Sequence, residues 1–409
     1  MAPLVTAGRI SAPATILAIA AIAAPSLAVL APLGVAPLLT VVAAALLVAA
    51  PRRLWEASRS LWPFAALWAA LAIFGALSAV WSILPFHSLI ESGRFLAIGI
   101  EGVIAVAATR ALSPRDAARV GVAAAIGIAL GTGLLLFEWA TGAAIARWLH
   151  DWSLAVYVNE SRYDRGATTA VLIIWPAALA LRRWRVLQLA IGIAVAASIY
   201  LMVSAASLLA LVIGLAAFAV ALLSPRLVAG ALAAGIVLGT ALLPVIVPSY
   251  QATVRIQHAE PWIKASGIHR LLIWRFAADR IADRPLLGWG LDSSRGLPGG
   301  KRDFGTTLPG IELGPGHDAM PLHPHDALLQ WRLELGIPGT LLALALVVWA
   351  LYRVGWRFGG GREAQAAALG WGATVTVIAL LSFGSWQEWW LSCILFSASL
   401  LAASAADAG

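Results

Sequence analysis

Apolar residues fill the chain in long runs separated by short polar breaks, and one extended polar stretch, residues 249–325, interrupts the pattern. A helix needs about 20 apolar residues to cross a bilayer. Twelve runs meet that need: 12–31, 33–50, 63–84, 94–111, 117–140, 167–182, 186–203, 205–223, 227–248, 326–352, 366–384 and 388–404. The stretch 186–223 is too long for one crossing, and Ser204 and Ser207 mark its turn. Pro51, Pro114, Pro225 and the Gly359-Gly360-Gly361 run fall between spans, as chain breakers should. The pattern predicts an all-α integral membrane protein with about twelve transmembrane helices. Residues 1–248 hold about nine spans, 249–325 form a large loop domain with short helices, and 326–409 hold about three.

Composition sharpens this. The chain is 61% hydrophobic and 12% charged, against about 25% charged in soluble domains. No water-soluble fold could hide that much apolar surface. Soluble enzymes and nucleic-acid modules are excluded. The excess of 28 Lys+Arg over 20 Asp+Glu then reads as topology, because cytoplasmic loops collect basic residues. With the N-terminus inside, Arg52, Arg53, Arg59, Arg110, Arg115, Arg119, Arg182, Arg183, Arg185, Arg226, Arg353, Arg357 and Arg362 all face the cytoplasm. Both termini are then inside and the long loop is outside. Arg9 before an Ala-rich stretch reads as an uncleaved first helix rather than a signal peptide. The single Cys393 makes no intrachain disulfide.

The loop holds both lysines and five of the seven histidines. Ser266 to Asp283 reads as an amphipathic helix, with Ile268, Leu271, Leu272, Phe276 and Ile281 on one side and Ser266 as N-cap. The Gly/Pro-rich stretch 296–316 reads as a mobile loop. A second outside loop, 141–166, carries Arg147, Arg162 and Arg165. No phosphate-binding Gly-Lys loop, His-Glu-x-x-His or Asp-x-Asp pair is present, so the sequence calls for no metal and no cofactor.

What remains is arginine and histidine on the outer side. Arg binds phosphate through a planar, permanently charged fork. Arg162, Arg165, Arg270, Arg275, Arg280, Arg284 and Arg295 all lie there, although Arg275 with Asp279 and Arg280 with Asp283 also fit ordinary ion pairs. Leu322-His323-Pro324-His325-Asp326 runs directly into an apolar helix. Either Asp326 caps that helix and both imidazoles face water, or a histidine there accepts a proton. Glu101 and Glu138 lie within spans, where a transporter would place its ionisable groups.

His325-Asp326, then Gly336, two residues, and Gly339-Thr340 resembles the His-(Asn/Ser/Gln)-x9-Gly-x-x-Gly signature of O-antigen ligases. Upstream, Arg270-x-x-x-Trp274 and Pro285-Leu286-Leu287-Gly288-Trp289-Gly290 are similar to further motifs of the O-antigen ligase and polymerase family. The resemblance is specific over residues 266–340. It implies transfer of an O-antigen glycan from undecaprenyl pyrophosphate to lipid A–core oligosaccharide, at the periplasmic face of a Gram-negative inner membrane. It implies His325 as general base and Arg270 as catalytic, with Arg165, Arg162, Arg275 and Arg284 holding pyrophosphate. Asp326 or Glu334 would orient the imidazole. The partners are then two lipid-linked glycans and membrane lipid, with no nucleic acid. A polymerase or a protein O-oligosaccharyltransferase of the same family is the alternative, and a lipid-oligosaccharide transporter is a third. Two departures stand out: Asp326 replaces the usual Asn, Ser or Gln, and Ser204-Ala-Ala-Ser207 lacks a following arginine, which leaves Arg162 or Arg165 to supply that contact.

Overall fold

Seventeen α-helices and no strand build the described residues, 10–149 and 163–406, of a computed structural model. First come α1 (Ala12–Leu30), α2 (Val35–Ala49), α3 (Pro51–Ser58), α4 (Trp62–Leu77), α5 (Pro85–Arg110) and α6 (Pro114–Ala140). Then follow α7 (Ala144–Leu149), α8 (Asp164–Ala180), α9 (Arg185–Leu201), α10 (Ala205–Leu223) and α11 (Pro225–Ile246). The loop region contributes α12 (Tyr250–Ala259), α13 (Ala265–Asp283) and α14 (Phe304–Thr307). The chain closes with α15 (Ala327–Arg357), α16 (Arg362–Leu381) and α17 (Glu388–Ala406). Each of the twelve apolar runs falls on a helix. Eight helical segments are long and apolar enough to cross a membrane, and α9 and α17 are apolar but shorter. This fits an α-helical membrane protein.

The breakers act as helix starts. Pro51, Pro114 and Pro225 each occupy a first-turn position, where the missing N–H costs nothing. Ser113 and Ser224 accept the N–H of Asp116 and Leu227 as caps. The turn inside 186–223 comes at residues 202–204, with Val203 at φ 55°.

The loop region sits on the first turns of α15. Buried Ile268, Leu272, Phe276 and Ile281 of α13 pack with Trp289, Phe304, Leu329 and Leu333 in one apolar cluster. The helix begins one residue earlier than expected, with Lys264 rather than Ser266 at the N-cap and the Lys264 carbonyl accepting from Gly267 and Ile268. The stretch 296–316 is not a loose loop. Leu297, Phe304 and Leu313 anchor it in that cluster, and Asp303 accepts the N–H groups of Gly305, Gly316 and His317.

α15 is not continuous. Gly336 breaks it at φ 59°, ψ −152°, a region open only to glycine. In an unbroken helix the Leu333 carbonyl would receive Ile337 N–H, and the Glu334 carbonyl would face residue 338, a proline with no N–H. Instead Ile337 N–H donates to Leu286 O at 2.9 Å, while Trp289 and Gly290 N–H donate to Leu333 and Glu334 O at 3.0 and 2.8 Å. A Cβ on Gly336 would lie 2.1 Å from Leu286 O, and one on Gly288 2.5 Å from the Glu334 backbone. The Pro-Leu-Leu-Gly-x-Gly and Gly-x-x-Gly motifs are therefore two halves of one backbone joint. It fixes the loop region to the helix that follows His325.

Candidate active site

The His323-Pro324-His325-Asp326 turn is held from three sides. Trp274 of α13 donates its indole N–H to Pro324 O at 3.0 Å. Asp326 caps α15, accepting Leu329 N–H at 2.9 Å. His325 Nδ1 lies 2.5 Å from the Ser382 carbonyl, at the end of α16. His325 itself stands at φ 57°, unusual for a residue with a side chain. His323 helps to hold it there, because its Nδ1 accepts the His325 backbone N–H at 3.2 Å and its ring packs 4.4 Å from the His325 ring. The two imidazoles thus pack on each other, His323 buried and His325 half-buried, rather than both facing water.

These contacts set the tautomer. A carbonyl can only accept, so His325 Nδ1 carries the proton and Nε2 keeps a lone pair. Burial, aided by the charges of Arg270 and His269, pushes His325 down to about 4, against the partial offset of the Ser382 contact. His323 falls to about 3, by burial first and then by the charges of His325 and Arg295. Both rings are neutral near pH 7. The orienting acceptor is the Ser382 carbonyl; Asp326 is engaged as a cap and Glu334 elsewhere.

Arg270 and Trp274 are one helical turn apart on α13, so both face this turn of chain. Asp164, at the start of α8, is the carboxylate whose charge acts on Arg270, and it is hydrogen-bonded to Ser204. Ser204 in turn contacts Ser207 at 2.9 Å, and Ser207 contacts Thr168 at 3.2 Å. Arg165 lies with its guanidinium 5.5 Å from the Trp389 ring centroid. Trp389 packs on Phe383, next to the Ser382 that holds His325. Arg270 thus acts on His325 directly, whereas Arg165 is linked to it only through Trp389 and Phe383 and is not among the charges acting on its ring.

The other predicted arginines are placed differently. Arg275 is ion-paired with Asp279, which also accepts from Tyr250. Arg284 stacks on Trp289 at 4.1 Å and is exposed. Neither appears among the charges acting on His325. Arg162 lies outside the described residues.

A second polar cluster adjoins the first. Glu334, fully buried, accepts from Trp386 Nε1 at 2.5 Å, Ser294 Oγ at 2.5 Å, Gln330 Nε2 at 3.1 Å and Asp292 N at 2.8 Å. It ties α15, α17 and the loop region together. Asp292 contacts His87 Nε2 and Arg295, both at 2.7 Å; burial raises its carboxyl well above the usual range. His87, Glu91 and Asp292 bring three possible ligand atoms within 4.8 Å of one another. Both carboxylates already engage guanidinium groups, Glu91 with Arg94 at 2.9 Å and Asp292 with Arg295. That donor set fits an internal salt-bridge network better than a divalent cation.

Residues 189–344 match the family model described as O-antigen ligase. The chain carries an O-antigen ligase family domain. This domain includes α13, the histidine turn and the Gly336 joint, while Arg165, His87 and Trp386 lie beyond it. Three curated relatives bear the name of candidate polysaccharide ligases. One from Rickettsia conorii is 32% identical over 165 residues, 39% of this chain and 37% of the relative. One from Rickettsia felis is 31% identical over 193 residues, 46% and 44% of the two chains. One from Rickettsia typhi is 35% identical over 129 residues, 31% and 30% of the two chains. The matching stretch thus spans less than half of each relative.

Asp164, His269, Ser382 and the Glu334 hub were not found from the ligase-family motifs. Ser382 acts through a backbone carbonyl, which leaves no mark in residue type. Glu138, within a predicted span, is fully buried and accepts Ile145 N–H, Ala146 N–H and Tyr163 OH at 2.9–3.0 Å. It is a local capping group, not a carrier site.

Proposed function

We propose that this protein transfers O-antigen polysaccharide from undecaprenyl pyrophosphate to the lipid A–core oligosaccharide, at the periplasmic face of a Gram-negative inner membrane. The observation that carries this reading is the neutral His325, with Nδ1–H tied to Ser382, no hydrogen-bond partner for Nε2 among the described residues, and Arg270 acting on it. In the reaction an acceptor hydroxyl oxygen attacks the anomeric carbon of the donor glycan. The bond from that carbon to the pyrophosphate oxygen breaks, and its electron pair leaves with the lipid. The hydroxyl proton passes to His325 Nε2. Direct displacement inverts the anomeric carbon.

Arg270 and Arg165 stabilise the charge that grows on the leaving pyrophosphate, a task that preset guanidinium groups perform without a metal. A base as weak as His325 cannot deprotonate a free hydroxyl. It takes the proton as the new bond forms and the hydroxyl becomes acidic, and the bound donor's negative charge raises its basicity. The engagement of Glu138 as a cap favours an enzyme over a transporter. With the twelve spans and the periplasmic 249–325 loop expected from the sequence, the site would lie at headgroup height, where both lipid-linked substrates meet.

The test is transfer by purified protein, from a carrier-linked glycan to lipid A–core, in chelator-containing buffer. The expected result is a lipopolysaccharide ladder from the parent and none from His325→Ala, which retains donor binding. His323→Ala, lacking only a positioning contact, loses less. Lengthening of the carrier-linked glycan alone would identify a polymerase, and glycosylation of a Ser-containing protein an oligosaccharyltransferase. Parent-like turnover by His325→Ala would end the mechanism.

A further inference from the structure

The helix bundle forms a half-open cavity of about 620 Å³ between α4, α5, α15, α16 and α17. Its walls are apolar, and at the loop end it reaches Ser385 and Trp386, below the histidine turn. At the opposite end it is ringed by Arg110, Arg353 and Arg357. From the break at Gly336 to Arg357 the continuous part of α15 rises roughly 30 Å at 1.5 Å per residue, about the thickness of a bilayer's hydrocarbon core.

None of the three arginines has a carboxylate within 4.0 Å among the described residues. Arg110 donates to Ser60 Oγ at 2.8 Å, Arg353 lies 5.8 Å from the Trp349 ring centroid, and Arg357 reaches the Tyr352 hydroxyl at 3.4 Å. Arg110 and Arg353 are close enough for their like charges to act on each other. A cytoplasmic bias of arginines explains their side of the membrane but not their convergence on one cavity mouth. The C-terminal ends of α5 and α15 favour cations there without neutralising them. Arg110 and Arg357 are exposed and Arg353 half-buried, so three guanidinium groups without a carboxylate partner among the described residues stand at the mouth of an apolar, half-open cavity.

We propose that this cavity binds an anionic phospholipid of the cytoplasmic leaflet, with its phosphate against Arg110, Arg353 and Arg357 and an acyl chain along the apolar walls. The leaflet assignment rests on the topology proposed above. A polyprenyl carrier is the poorer fit. With its pyrophosphate beside His325, it has only hydrocarbon to place at this end, and hydrocarbon calls for no guanidinium groups. An anionic phospholipid supplies a phosphate for the arginines and an acyl chain for the walls at once.

The experiment is native mass spectrometry of the full-length protein titrated with phosphatidylglycerol, phosphatidylcholine or undecaprenyl phosphate. The parent should retain phosphatidylglycerol over phosphatidylcholine. A variant combining Arg110→Gln, Arg353→Gln and Arg357→Gln should lose roughly 100-fold of that preference, the order expected for three guanidinium groups acting on a lipid phosphate. Arg353→Gln alone gives a partial loss if the combined variant fails to fold. Gly372→Phe, which fills the cavity wall and leaves the arginines intact, should release the lipid. Arg183→Gln, off the cavity, should change nothing. Undiminished preference in the combined variant, an equal loss in Arg183→Gln, or displacement by undecaprenyl phosphate regardless of the arginines would overturn the proposal. So would labelling of residue 357 from the periplasm. No catalysis is measured, so failure of the transfer reaction would leave this result standing, and the reverse.

Discussion

Gly336→Ala tests whether the joint between α15 and the loop region holds the site together. The backbone at φ 59°, ψ −152° costs a residue with a side chain about 1–3 kcal/mol. The new methyl would also lie 2.1 Å from Leu286 O, a distance no rotamer relieves because both partners are backbone. Relief requires the segments to separate, which endangers three hydrogen bonds: Ile337 to Leu286, Trp289 to Leu333 and Gly290 to Glu334. At about 0.5–1.5 kcal/mol each, their loss adds roughly 1.5–4.5 kcal/mol. The sum, roughly 3–7 kcal/mol, exceeds most single substitutions.

The loss should be local, so hydrogen exchange is the direct assay. Amides of Trp289, Gly290 and Ile337 should lose protection in Gly336→Ala, while amides within α1 and α6 keep theirs. Transfer should fall with them, since the histidine turn rests on the same loop. Gly288→Ala strikes the same joint from the other side, with its Cβ 2.5 Å from the Glu334 backbone. The two changes should therefore combine to much less than their sum. Parent-like protection of those three amides in Gly336→Ala, or full additivity with Gly288→Ala, would refute the joint.

The pH dependence follows from His325. Its folded value of about 4 lies below the unfolded 6.5, so the native state binds fewer protons between those limits. The His325 contribution to stability should rise with pH through that window and be lost as pH falls toward 4, by an amount on the order of 3 kcal/mol at 1.36 kcal/mol per pH unit; it is read as the difference between the parent and His325→Ala, because the raised carboxyl of Asp292 acts in the opposite sense. The acid limb of kcat/KM should fall near pH 4, and that of kcat higher because the bound donor raises the base; a kcat/KM limb at 6.5 would mean that an unburied histidine is the base. Arg270→Ala should cost at least about 100-fold in kcat/KM, and Arg270→Lys should recover little because a point charge cannot replace the guanidinium fork. Steady-state kinetics with the carrier-linked donor decides this, and near-parent rates in Arg270→Ala remove it from the site.

The fold was legible wherever local pattern decided it. The apolar periodicity of α13 gave its buried face and its start to within one residue, because that face packs into one continuous apolar cluster with the loop and the first turns of α15. The pair Arg275 and Asp279 was visible as an i, i+4 match, and the structure keeps it as an ion pair. What pattern could not supply were contacts distant in sequence. Gly288 and Gly336 were motif letters, but nothing local says that the second frees carbonyls for the residues after the first. His87 and Asp292 are 205 positions apart, and each alone is an ordinary polar residue. The stretch 296–316 read as mobile because Gly and Pro dominate it, whereas Phe304 and Leu313 are enough to anchor it.

The two departures from the family pattern have separate physical accounts. Asp326 serves through one carboxylate oxygen that accepts Leu329 N–H. Asn, Ser and Gln each carry an oxygen capable of the same bond, so the cap survives the exchange. Its cost is a buried carboxyl, tolerated because the capped N-terminus of α15 favours an acceptor there. The missing arginine after Ser207 is a larger change, since Leu208 in its place packs into the bundle core. Here the serines turn to Asp164, and Asp164 acts on Arg270 from across the site. A carboxylate thus stands beside Arg270, and on the proposed reaction a bound pyrophosphate would compete with it. Arg165, the next residue along α8, supplies a second guanidinium from the same helix start. Asp164, Arg165 and Arg270 together therefore leave a single net positive charge before donor binding, where an arginine after Ser207 would have added a second. On the proposed reaction Arg165 would carry correspondingly more of the donor's charge than the family signature alone would assign to it, so Arg165→Ala should cost transfer at least several-fold when assayed with the carrier-linked donor.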